Sequence, residues 1–306
     1  MKLLFLSIAF PLLFLSCGNK QDEPLCFENS LHEFTLCSWN IGHFSLGKSY
    51  DTFISDQKPD FDYSNYGNST PYSNYDAQLT RWKQVLDEYS PDILMTCEYS
   101  ATFAHNKGGD VNAIEAVFGR YAFNSIGSLP YLTSYMRTAV FSNINLGKSR
   151  EVVYPHTKQA GRYYQVVEIM IDNVPTKLVV THLDFGATGN NAIFRAEQIQ
   201  KLITDFANET HVIICGDFNV SKPAEFDAFV NDGYTLAIHG CLGDIATYPS
   251  SGTEVWGTGG KKTMYNTPIS CIDNIIVKGF LMDNIQLIDK KELTDHCGII
   301  CDLTLK

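Results

Sequence analysis

The chain is short of basic charge: across 306 residues, 23 Lys and Arg stand against 34 Asp and Glu, a formal net charge of −11. Adjacent basic residues come only in pairs such as Lys261–Lys262. No track of cations could neutralise successive phosphates, which disfavours a processive duplex-DNA binder. Long apolar runs are missing too, and none reaches the length that spans a bilayer. The polar motifs include no Cys/His cluster of zinc type. Strands and helices do not alternate regularly enough for a purely parallel, doubly wound sheet.

The opening segment, "MKLLFLSIAFPLLFLSC", carries one Lys, an apolar run and then Ser16-Cys17. It reads as a cleaved export signal rather than a membrane helix. The Ser-Cys ending resembles a bacterial lipobox, with Phe14 in place of the usual Leu, which implies lipidation of Cys17 and attachment to a bacterial cell envelope. An ordinary secreted protein is the alternative. The expected layout is a signal peptide over 1–17, a tether over 18–33 and one domain over 34–306. Loss of the signal removes only Lys2 among the charges and leaves a balance of −12.

Nine cysteines in an exported chain raise the question of disulfides. Cys215, Cys271 and Cys297 each sit two residues from an acid, Asp217, Asp273 and Asp295, so strand alternation makes them small buried packing residues. Cys37 and Cys97 have the parity for a possible bridge on another face.

Strands are expected at 34–41, 92–99, 120–126, 138–143, 163–171, 177–185, 211–216, 271–277, 280–288 and 297–305. Helices are expected at 82–89, 191–206 and near 224–231; the second has Ala192, Ala196, Ile199, Ile203 and Phe206 at helical spacing. This pattern suggests an α+β architecture, two packed sheets with helices outside. Between the first strand and first helix, YSNY occurs at 63 and again at 72; the setting reads as a surface loop or a ligand lip.

Several apolar strands close on polar residues: Asn40, Glu98, His182 with Asp184, Asp217 with Asn219, Asp273, and Asp295 with His296. Their contexts are W-N, Pro91-Asp92 before a strand ending in Glu, T-H-L, G-D-F-N, I-D and D-H. In this order they resemble the endonuclease/exonuclease/phosphatase superfamily, from about residue 34 to the C-terminus. The resemblance implies a DNase I-like four-layer sandwich, two mixed sheets flanked by helices, with the site where strand ends converge.

Phosphoester cleavage needs an oxygen-liganded hard cation and a base for water, so Mg²⁺ or Mn²⁺ is the expected cofactor. Glu98 is the leading metal ligand, with Asn40 and Asp295 beside it. His296 is the expected general base, oriented by Asp273. His182 is expected on a phosphoryl oxygen or the leaving group. Gly216 is expected to end its strand and permit the turn, with Asp217 and Asn219 alternating onto one face, where they orient water and phosphate or hold a second cation. Asp184 could serve the site or cap its loop. Gly42 and His182 depart from the abasic-site endonucleases of the family, which carry an acidic residue and a tyrosine there. Expected substrates are therefore a lipid head group, sugar phosphate or nucleotide rather than duplex DNA. The alternatives are a secreted nuclease and a surface binding module with vestigial catalysis.

Overall fold

The computed structural model describes residues 33–42, 75–99, 114–128, 137–157, 162–186, 189–220, 222–238, 247–248, 253–257, 261–265, 271–290, 293–294 and 296–306. The leader, the tether, the tyrosine-rich 51–74 and Asp295 lie outside them.

Alternation sets the first strand, β1 (Glu33–Asn40), with Phe34 and Leu36 on one face and Cys37 and Trp39 on the other. Helix α1 (Tyr75–Tyr89) begins earlier than its apolar spacing suggests, and buries Trp82, Val85 and Leu86. It stops because Ser90 adopts a left-handed φ of 48° and Pro91 cannot continue the ladder. β2 (Ile93–Tyr99) then runs parallel to β1. A single π-helical turn at Ile114–Phe118 precedes β3 (Phe123–Ile126) and β4 (Arg137–Ser142).

β5 (Leu146–Val153) was not expected from sequence: it is a largely exposed edge strand, so no apolar alternation marks it. β6 (Tyr163–Ile171) and β7 (Val174–His182) form a hairpin turned by Asp172 and Asn173, both at positive φ. Helix α2 (Asn191–Asp205) crosses over to β8 (Val212–Asp217), parallel to β7. A 3₁₀ turn at Pro223–Phe226 leads into α3 (Asp227–Asn231) and β9 (Thr235–Leu236). A hairpin follows, β10 (Thr253–Gly257) with β11 (Lys261–Tyr265). β12 (Asp273–Lys278), β13 (Phe280–Ile288) and β14 (Gly298–Leu305) complete the chain.

The strands form two six-stranded mixed sheets, β13-β14-β1-β2-β4-β3 and β5-β6-β7-β8-β12-β9. Each contains one parallel pair, β1–β2 and β7–β8, bridged by a crossover that contains a helix. Leu36, Ile93 and Val140 meet Leu178, Ile213 and Ile275 between the sheets. Trp82 and Leu86 of α1 cover the outside of one sheet, and Ile199, Leu202 and Phe229 cover the other. The result is the four-layer sandwich that the resemblance implied. Cys37 packs on the α1 side, whereas Cys97 continues the inward face of Ile93 and Met95, so the two remain unbridged.

Candidate active site

Parallel strands end together, and the two parallel pairs point their C-terminal ends at one another. β1 delivers Asn40, β2 delivers Glu98, β7 delivers His182 and β8 delivers Asp217. The antiparallel neighbours contribute from their beginnings: Asp273 opens β12 opposite Asp217, and His296 precedes β14. Each sheet thus supplies three side chains.

Asn40 is the hub. Its Nδ2 lies 3.1 Å from Glu98 Oε1, 3.1 Å from Asp217 Oδ2 and 3.3 Å from His296 Nε2. Its Oδ1 accepts the Gly42 N–H at 3.0 Å. Asn40 therefore presents its donors to the acids and its carbonyl oxygen to the Gly42 N–H. His182 Nε2 lies 3.4 Å from Asp217 Oδ2 and 3.7 Å from Glu98 Oε1. His296 Nδ1 lies 2.9 Å from Asp273 Oδ2, and its Nε2 is 3.9 Å from Asp217 Oδ2. A carboxylate at Nδ1 favours the proton there and leaves Nε2 as the basic nitrogen.

Local backbone explains the Gly-Asp-Phe-Asn sequence. Gly216 has φ 143°, and a Cβ there would lie 1.8 Å from the Thr181 carbonyl oxygen. It is needed for the close approach of β7, and the strand continues through Asp217 rather than turning at the glycine. Asn219 then adopts φ 50°, which breaks the expected alternation. Its N–H bonds Asp217 Oδ1 at 2.8 Å and its Nδ2 bonds the Leu183 carbonyl at 3.0 Å, so it braces Asp217 instead of standing beside it. Glu98 sits at φ 54°, within a register shift between β2 and β4 that turns its carboxylate to Asn40.

The site is rich in buried negative charge. Burial first, and then the Asp273 charge, push the Asp217 carboxyl up to about 8; Glu98 adds to the rise and His296 opposes it. Asp273 Oδ1 is buried without a hydrogen-bond partner among the described residues. Two triads, Glu98–His182–Asp217 and Asp217–Asp273–His296, hold their ligand atoms within 4.8 Å of one another. A divalent cation fits these oxygen-dominated donors and would relieve their repulsion.

Sequence reasoning missed several neighbours. Arg162 is buried just before β6, where burial lowers its pKa and the charges of Asp217, Glu98 and Asp184 act to raise it. The Tyr248 ring lies 4.7 Å from the His296 ring, centroid to centroid, at 38°. Thr247 Oγ1 accepts the Ile272 and Asp273 N–H groups at 3.0 and 3.1 Å. Trp39 Nε1 donates to the His296 carbonyl at 3.1 Å, so the segment that carries His296 is fastened to β1. A single Arg ahead of an apolar strand was the available signal for Arg162; nothing local distinguished Tyr248.

The sequence matches the Endonuclease/Exonuclease/phosphatase family over residues 37–296. No curated protein is detectably similar in sequence. Among solved structures, D. rerio TDP2 complexed with single strand DNA product is similar at TM-score 0.60 and 15% identity, over 89% of this chain and 99% of that one. An endonuclease/exonuclease/phosphatase from Bacteroides vulgatus is similar at TM-score 0.59 and 13% identity, over 90% and 99%. The human Nocturnin catalytic domain with bound sulfate anion gives TM-score 0.54 and 16% identity, over 90% and 95%. At these identities the structural likeness establishes the fold.

Proposed function

The chain belongs to the Endonuclease/Exonuclease/phosphatase family, and from that premise we propose that it is a divalent-metal-dependent phosphoesterase that hydrolyses its substrate by in-line attack of water. The observation that carries this reading is the His296–Asp273 pair, with Nε2 of the histidine directed toward the Asn40, Asp217 and Glu98 cluster.

Glu98 and Asp217 would hold Mg²⁺ or Mn²⁺, joined by Asp295 on the strength of the sequence resemblance. When bound, the cation would act as a Lewis acid on the phosphoryl group. His296 takes the proton of the attacking water at Nε2, while Asp273 holds the ring orientation and stabilises the imidazolium. Asn40 and His182 donate hydrogen bonds to phosphoryl oxygens, and Asn219 fixes the direction of Asp217. Arg162 supplies a buried positive charge to the same group. Turnover of bis-p-nitrophenyl phosphate should require Mg²⁺ or Mn²⁺ and disappear in EDTA; undiminished turnover in EDTA would overturn the mechanism. No turnover with either metal would favour a binding module.

Small or lipid-linked phosphate esters are the proposed substrates, because the −12 balance and absent basic track oppose duplex binding. The single-strand DNA product held by TDP2 supports a nuclease as the second reading. Comparing kcat/KM on DNA, phosphosphingolipid and sugar phosphate, at one salt and metal concentration, separates them. Envelope attachment through Cys17 rests on the leader sequence alone, and Cys17→Ser should release the protein from the membrane fraction.

A further inference from the structure

Behind the six-residue cluster lies a second buried polar assembly, built on the inner face of α2. Arg195 is fully buried and grips Glu225 with two nitrogens, Nε to Oε2 at 2.8 Å and Nη2 to Oε1 at 3.2 Å. Its Nη1 donates to the carbonyls of Asp184 at 3.2 Å and Gly186 at 2.5 Å. Gln198, one turn along, accepts the Asp184 N–H at 3.1 Å and donates to Asp184 Oδ2 at 2.9 Å. Asp184 is thereby held by its N–H, its carbonyl and one carboxylate oxygen. The other oxygen, Oδ1, lies 3.8 Å from Nε of buried Arg162.

The same assembly joins two segments that leave the site. Glu225 Oε1 also accepts the Lys222 N–H at 3.2 Å, so Arg195 links the chain after β7 to the chain after β8. Buried ion pairs add little stability compared with apolar residues of similar volume, because desolvation offsets their attraction. The apolar attachment of α2 is already made farther along by Ile199, Leu202 and Ile203. What the polar assembly supplies is direction: it leaves one carboxylate oxygen facing one guanidinium.

We propose that Asp184, Gln198 and Arg195 are positioning residues that aim the Arg162 guanidinium at the phosphoryl group of the substrate. Asp184 is neither a cation ligand nor a loop cap but the link through which α2 sets Arg162. This inference rests on the phosphoesterase reading for its substrate, but not for its test, which uses inorganic phosphate as the probe.

Asp184→Asn keeps the size and a bond to Gln198 while removing the charge that faces Arg162. In the metal-loaded protein it should weaken phosphate binding, measured by calorimetry, and lower kcat/KM, each by about tenfold to a hundredfold, as for other residues that orient a ligand-binding group. The melting temperature should fall, because the buried guanidinium loses a facing charge, so binding is compared well below the melt. In an Arg162→Met background, Asp184→Asn should add less than about twofold, since the two residues act as a unit. Should Asp184→Asn fail to fold, Gln198→Met, which frees Asp184 without altering its charge, should give a smaller loss in the same direction. Independent, multiplying losses from Asp184 and Arg162 would overturn the proposal, as would unchanged phosphate binding in a variant whose stability falls. Failure of the wild type to bind phosphate would overturn it too. Phosphate binding that follows this pattern without ester turnover would uphold it and refute the phosphoesterase reading instead.

Discussion

Asn40 and Glu98 leave the first sheet against aromatic packing, whereas His182 and Asp217 leave the second against a hydrogen-bonded brace. On the first side Trp39 and Trp82 meet edge to face at 5.1 Å, and the indole of Trp39 holds the His296 carbonyl. On the second, Arg195, Gln198 and Glu225 fix the departing segments, and Gly216 leaves no room between β7 and β8. Rings can slide and repack at modest cost, but a buried polar network loses a partner as soon as one member moves. The two sheets therefore contribute equal numbers of site residues through supports of unequal tolerance.

Removing the metal tests both sides at once and should have the largest effect: EDTA should abolish turnover, and Mg²⁺ or Mn²⁺ should restore it. Next, Glu98→Gln from the first sheet and Asp217→Asn from the second should each lower kcat by roughly 10²- to 10⁴-fold, as should His296→Ala. Near-wild-type kcat in either acid variant would show that one sheet suffices.

Two glycines probe the supports directly. Gly216→Ala forces a Cβ onto the Thr181 carbonyl oxygen and should cost about 4 kcal/mol or more. Gly298→Ala meets the Trp39 ring at 2.8 Å, and because a side chain can shift, the cost should be about 1–3 kcal/mol. Denaturant melts of the two variants should fall in that order, and the reverse order would break the comparison.

The metal-free protein should also show a pH signature. The folded Asp217 carboxyl is raised to about 8, so its contribution to stability is present at low pH and is lost as pH rises from about 4, the unfolded value, through about 8. The melting temperature should fall across that window. Asp273→Asn removes the largest charge contribution to the shift and should narrow the window from its upper end. The smallest expected effect is at Glu98, whose φ of 54° suits glycine. Glu98→Gly should lose activity yet gain up to about 1 kcal/mol of stability, readable in the same melts.

Those residues were legible because they close apolar strands in a recognisable order, and strand ends are where a sandwich presents polar groups. The two-sheet architecture was legible for the same reason. β5 was hidden because an exposed edge strand does not alternate. The apolar spacing of α2 suggested Ala192 and Ala196 as buried, whereas Ala196 is exposed and Arg195 and Gln198 are buried. A polar residue facing inward has no periodic signature; its partners, Asp184 and Glu225, lie 11 and 30 positions from Arg195. Asn219 was misplaced because its left-handed φ ends a parity argument that holds only while a strand continues.

β14 lies between β13 and β1, so the last strand fills an interior position in the first sheet rather than its edge. A nascent chain can hold Asn40, Glu98, His182 and Asp217 while it still lacks the strand that brings His296 to them. Pairing Glu33 with Thr304 closes almost the whole described length into one loop, the kind of distant contact that forms late. His296 thus arrives with the segment that fills the sheet, and the cluster of Asn40, Glu98, His182 and Asp217 gains its last member only when β14 pairs.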